Sequence, residues 1–168
     1  MSRKGWVGPM GRTVTRRRFV QATAAMVATG ATMQAQQATN RVSGYDHVAV
    51  PMLNTDAMIA FYRKLGFEMR ESPAAVSVYV GRNMINFHRP ARWQDSTFTL
   101  RAPAAKPPCG DFCFVWDGTP AQLKAWLDAA GMHVEEGPVA RPGGRQAQGT
   151  STYIRDPDGN LLEFMIYG

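Results

Sequence analysis

The sequence predicts an α+β fold made from two copies of a strand-helix-three-strand unit, and three observations carry that prediction. Apolar residues alternate in short runs such as Val48, Val50 and Met52, the period of a half-buried strand. Two helical stretches each end in a glycine, Gly66 and Gly131, the residue best suited to a left-handed helix stop. His47 precedes Gly66 by about the same interval as Asp111 precedes Gly131, so the pattern runs twice.

In the first unit, a strand around Val48 to Met52 leads to Asn54 or Thr55, either of which can cap a helix. The apolar face of that helix is Met58, Ile59, Phe61, Tyr62 and Leu65. Strands are expected at Phe67 to Glu71, Val76 to Val80 and Met84 to His88, the last two joined at Arg82-Asn83. A proline-rich link (Pro90, Pro103, Pro107, Pro108) follows. The second unit starts with a strand at Phe112 to Trp116. Thr119-Pro120 then reads as an N-cap with proline in the first turn of a helix carrying Leu123, Trp126, Leu127 and Ala130 on one face. Strands are expected at His133 to Glu135, Thr150 to Arg155 and Leu161 to Tyr167, with the turn Asp156-Pro157-Asp158-Gly159-Asn160 between the last two. Arg141, Arg145 and Gly143-Gly144 read as a long loop before Thr150. Neither unit can bury a sheet face and a helix alone, and together they make one domain.

Composition places the chain among globular proteins, with 45% hydrophobic and 19% charged residues and two cysteines, too few for a disulfide scaffold. The net charge of +6 is local. Arg3, Lys4, Arg12, Arg16, Arg17 and Arg18 precede any acidic residue, and the remaining 13 basic residues are balanced by 13 acidic ones. A nucleic-acid partner is therefore not expected. Thr15, Arg16, Arg17 and Phe19 fit the twin-arginine export motif, and an uncharged Ala/Thr-rich run from Ala22 to Met33 follows. Residues 1–38 are expected to be a signal peptide and short linker, and residues 39–168 the domain, which is then periplasmic or secreted with no stable membrane anchor. Too many Thr, Gly and Gln residues interrupt the run for a membrane span.

Strand parity sorts the polar residues. His47 lies opposite Val48 and Val50, Asn86 and His88 opposite Ile85 and Phe87, Asp111 and Cys113 opposite Phe112 and Phe114, and Glu163 opposite Leu162 and Phe164. Each unit thus offers one metal-capable side chain near its first strand and another on its last. Two imidazoles and two carboxylates suit a divalent ion with positions left open for water or substrate. Cys109 and Cys113 share one extended segment and cannot bridge each other, and Cys113 is expected in the core.

The segments GYDHVAVPMLNTDAMIAFYRKLGFEM, INFH, GDFCFVWDG and STYIRDPDGNLLEFMIY resemble the vicinal-oxygen-chelate superfamily of glyoxalases, bleomycin-resistance proteins and extradiol dioxygenases. Residues 44–168 carry the likeness, which is strongest to the subgroup of glyoxalase-domain-containing protein five and bacterial virulence proteins. It implies tandem βαβββ modules, 44–90 and 109–168, curled into half-barrels of mixed sheet. It also implies one divalent metal ion (Zn, Ni, Fe or Mn) held by His47, His88, Asp111 and Glu163, with the first and last strands of a module one strand spacing apart. Bacterial glyoxalase I has the order His, Glu, His, Glu at such places, so the middle pair is exchanged here. Asp111, with its short side chain, is then a ligand, or falls short of the metal and orients a ligand or acts as a base, and Asp111 and Glu163 are the catalytic candidates. The implied activity is that of a metal-dependent lyase, isomerase or dioxygenase on a small oxygen-chelating substrate. The alternative is metal-free sequestration of a small molecule between walls such as Tyr79, Phe87 and Trp116. The modules pair either within one chain or across a homodimer.

Overall fold

The structure, a computed structural model, describes residues 41–168. The expected export segment lies outside the described residues. Within the unit Tyr45–Gly168, β1 (His47–Pro51) runs into α1 (Thr55–Lys64), β2 (Glu68–Glu71), β3 (Ala75–Val80) and β4 (Asn83–His88). A single turn, α2 (Pro90–Trp93), opens the link to β5 (Asp111–Val115), α3 (Pro120–Ala129), β6 (Glu136–Pro142), β7 (Gln148–Arg155) and β8 (Leu161–Tyr167). The strands form two four-stranded mixed sheets of identical order, β1-β4-β3-β2 and β5-β8-β7-β6. In each, the first strand pairs in parallel with the last and the other neighbours are antiparallel. A parallel pair needs a long crossover, which the helix and two intervening strands supply. The duplication is therefore one of topology as well as of sequence.

Local chemistry accounts for the elements. Thr119 and Gln122 form a reciprocal capping box at the start of α3, and Gly66 and Gly131 close the two helices with φ of +79° and +61°. Asn54 does not cap α1 with its side chain. Its side chain serves the other module instead, as described below.

One face of each sheet is apolar. Val50, Val76, Val78, Ile85 and Phe87 from the first join Phe112, Phe114, Ile154, Leu162 and Phe164 from the second, together with Met58, Tyr62, Leu123 and Leu127 from the helices, in one core. Aromatic contacts cross between modules, with Phe87 6.0 Å from Phe112 and Phe67 5.6 Å from Phe114 between ring centroids. Phe87 is thus core and cannot wall a binding site, and Trp116 packs on Trp126 at 5.1 Å.

The turn before β8 clasps the modules together. Asp158 accepts from the backbone N–H of Leu53 at 2.6 Å and of Asn54 at 2.9 Å, and from the Asn54 amide at 2.8 Å. Buried Asp156 accepts from the Tyr62 hydroxyl at 3.1 Å, the Asn160 amide at 2.8 Å and the backbone N–H of Asn160 and Asp158. The Asn160 side-chain oxygen in turn accepts from Cys109 and Gly110 N–H, at 3.1 and 2.8 Å, fixing the entry to β5.

The second strand of the second unit differs from expectation. It spans Glu136–Pro142, beyond the anticipated His133 to Glu135, and Arg141 belongs to it. Pro138 and Pro142 argue against a strand in sequence, but β6 is an edge strand with a bulge between Glu136 and Val139, where proline is tolerated. Among the described residues no helix is long and apolar enough to cross a membrane.

Candidate functional site on the open sheet faces

The face of each sheet turned away from the core carries the candidate residues. In the first sheet the open face holds His47 and Ala49 from β1 and Met84, Asn86 and His88 from β4. His47 lies opposite Met84, Ala49 opposite Asn86 and Pro51 opposite His88. In the second, Asp111 lies opposite Leu161, Cys113 opposite Glu163 and Val115 opposite Met165. The expected neighbours are therefore staggered. Four residues, about 13 Å of strand, separate the levels of His47 and His88, and two, about 7 Å, those of Asp111 and Glu163. Among the described residues, no three His, Cys, Asp or Glu side chains converge on a point fit for a metal ion.

Superposing the two registers makes Asp111 the counterpart of His47 and Met165 the counterpart of His88, while Glu163 corresponds to Asn86. Parity alone put Asn86 and His88 on the same face and could not rank them. The parallel register does.

The His47 ring is 47% exposed, with Nδ1 2.7 Å from Asp46 Oδ1. A carboxylate on one ring nitrogen fixes the tautomer and leaves Nε2 as a donor to a metal. His88 is more enclosed. Its ring meets Phe98 edge-on at 5.4 Å, and the Arg92 guanidinium lies 3.7 Å from the Phe98 centroid. Burial, then Arg92 and then His47, hold the His88 imidazole below its ordinary pKa, favouring the neutral form. Asp111 is exposed on the edge strand β5.

Glu163 is half-buried and firmly held. Its Oε1 accepts from the Ser151 hydroxyl and, at 3.0 Å, from the Tyr153 hydroxyl. Asn86 has a weaker version of this support, with Ser77 donating to its Oδ1 at 3.2 Å. Cys113 is exposed on the open face beside Glu163 instead of in the core, because β5 parity turns Phe112 and Phe114 inward. Partial burial, then the charge and hydrogen bond of Glu163 and the charge of Asp111, push its thiol up to about 12, which favours the protonated form. Cys109 is also free. A cleft of about 340 Å³ over β5 to β8 is lined by Asp111, Arg141, Tyr153, Arg155 and Glu163. A second space, about 570 Å³, lies between the β1 and β5 edges and is lined by Tyr45, Val48, Met84, Asp111, Cys113 and Val115 among others.

Residues 44–164 match the family described as the glyoxalase/bleomycin resistance protein/dioxygenase superfamily. The chain belongs to that superfamily. It is 33% identical over 137 residues to glyoxalase domain-containing protein RDO1 of Mycosarcoma maydis, covering 80% of this chain and 74% of the relative. It is 32% identical over 124 residues to virulence protein STM3117 of Salmonella typhimurium, covering 73% and 83%. The crystal structure of that virulence protein superposes with a TM-score of 0.67 at 29% identity, covering 77% of this chain and all of the other (100%). Lactoylglutathione lyase from Agrobacterium tumefaciens superposes with a TM-score of 0.58 at 26% identity, covering 76% and 96%. Superfamily proteins act on small molecules, and they often bind a divalent metal and often form dimers.

The donors present fit a divalent ion as two half-sites. The first has an oriented imidazole, His47, with His88 further along the sheet, and the second has a held carboxylate, Glu163, with Asp111 near it.

Proposed function

We propose that this chain is an exported, metal-dependent lyase or isomerase of the glyoxalase superfamily, acting on a small substrate that presents two neighbouring oxygens. The observation carrying this reading is the paired support on the open faces, with Asp46 orienting His47 and the Ser151 and Tyr153 hydroxyls holding Glu163. Such polar scaffolding has no role in the core, which lies on the opposite faces. His47, Asp111 and Glu163 are the residues proposed to hold one ion, with His47 and Glu163 the principal ligands, while His88, four residues further along the sheet, lies on the approach to it. A Zn, Ni, Fe or Mn ion bound there would supply Lewis-acid stabilisation of negative charge developing on substrate oxygen. Asp111 takes or returns the substrate proton, being exposed and set back from Glu163 by two residues of strand.

Because the two half-sites of one chain do not converge on a common point among the described residues, the reading calls for two copies. Strands β1 and β5 are open sheet edges, and Tyr45, Val48 and Val115 are large apolar side chains exposed beside them. Unpaired edges with apolar side chains favour association with another chain, and a homodimer would place half-sites of two copies together.

A second reading, metal-free binding of a small molecule, is favoured by the 570 Å³ space with its largely apolar lining. Screening oxygen-chelating substrates against metal-loaded and chelator-stripped protein separates the two. The enzyme reading expects turnover that is lost on stripping and regained on adding the metal back. Equal binding of a ligand by both forms, with no turnover, favours sequestration.

Export is proposed from Arg16-Arg17 and the uncharged run behind them. Replacing both arginines by lysine is expected to keep the precursor inside the cell. Normal export of that double variant contradicts the proposal.

A further inference from the structure

We infer that Ser151 and Tyr153, with Arg141 beside Tyr153, form a holding device that commits Glu163 Oε1 and leaves Oε2 as the carboxylate oxygen to face a divalent cation. This rests on the metal-dependent reading of the same site for its consequence, but its geometry stands apart from it.

Both hydroxyls donate to one oxygen, Oε1. A carboxylate oxygen has two lone-pair sites, so Oε1 is fully used, and Oε2 is left with only the thiol of Cys113, the cross-strand neighbour of Glu163, as a weak donor close to the carboxylate. Ser151 is entirely buried, and no water competes for its hydroxyl. The Tyr153 ring lies 5.8 Å from the Arg141 guanidinium, and that guanidinium is tied to Glu136 at 2.9 Å across the edge strand. Arg141 also hydrogen-bonds the Tyr153 hydroxyl, so the phenol is held by both Arg141 and Glu163.

Comparison of the modules shows that the device is particular to the second. In register, Ser77 stands where Tyr153 stands and Ala75 where Ser151 stands. The first module has one hydroxyl on an amide oxygen and nothing in place of the second. Asn86 has no second acceptor oxygen to offer a cation, so the carboxylate with a committed geometry occurs in one module only. Tyr153 and Ser151 are positioning residues, acting through Glu163.

The test uses Tyr153→Phe, Ser151→Ala and the double variant, each first shown by thermal unfolding and circular dichroism to be folded. In crystals grown without divalent metal, wild-type Glu163 is expected in one orientation and the double variant's in two or more. Titrating Co²⁺ into metal-stripped protein, the double variant is expected to bind about 10–100-fold more weakly, the range for loss of groups that orient a ligand. A single, wild-type Glu163 orientation in the double variant overturns the inference, as does unchanged Co²⁺ affinity. Should the wild type bind no Co²⁺, the metal-dependent reading fails, and the crystallographic comparison alone decides whether the holding device exists.

Discussion

Asp156→Ala is expected to lower the free energy of unfolding by about 3 kcal/mol, the largest single loss of stability outside the apolar core. Asp156 is 5% exposed and takes four hydrogen bonds, from Tyr62, the Asn160 side chain and two backbone N–H groups. Removing it strands all four donors where water does not reach them easily, and each costs on the order of 1 kcal/mol or more. The gain from no longer burying a carboxylate offsets part of this. Burial pushes the Asp156 carboxyl above its ordinary range, although bonds from Asn160 and Tyr62 pull the other way. The folded state therefore holds this proton more tightly than the unfolded chain does. The group favours folding most below the unfolded carboxylate range, and that share is lost as pH rises through the folded pKa. Urea denaturation at pH 7 is the check. A midpoint close to wild type would show that the clasp between the turn before β8 and α1 is dispensable.

The second large effect concerns chemistry. Asp111→Asn is expected to retain substantial divalent metal and yet lose turnover by about 10²–10⁴-fold on any substrate identified, the range for removal of a general base. Asp111 sits exposed on an edge strand, with no hydroxyl fixing it as Ser151 and Tyr153 fix Glu163. A loosely held carboxylate is free to exchange a proton, whereas a firmly held one is suited to stay in place. Near-normal turnover in metal-loaded Asp111→Asn would make Asp111 a bystander.

The fold was legible because its signals are local. Alternation in β1, β4, β5 and β8 fixes which residues enter the core, and Gly66, Gly131 and the Thr119-Pro120 start mark the helix ends without reference to the other module. β6 was not legible, since Pro138 and Pro142 are excluded only from central strands and nothing in the sequence announces an edge. Cys113 was misplaced when its side-chain type was allowed to outweigh the parity set by Phe112 and Phe114.

The site was legible as a set of faces and not as a geometry. Parity identified the open faces that carry His47, His88, Asp111 and Glu163, but the stagger of a parallel pair is set by the crossover and not by alternation. Asn86, Ser151 and Tyr153 consequently enter only once registers are known. Arg141 was visible in sequence and unplaceable, because its role depends on β6 being a strand.

Elemental analysis of the protein purified from its native compartment decides whether the open sheet faces build a divalent-metal site. Wild type is expected to carry one divalent ion per site, and His47→Ala and Glu163→Ala are each expected to lose most of it while keeping the fold, since both side chains lie outside the core. Wild-type protein free of divalent metal, or full occupancy in either variant, would contradict the account.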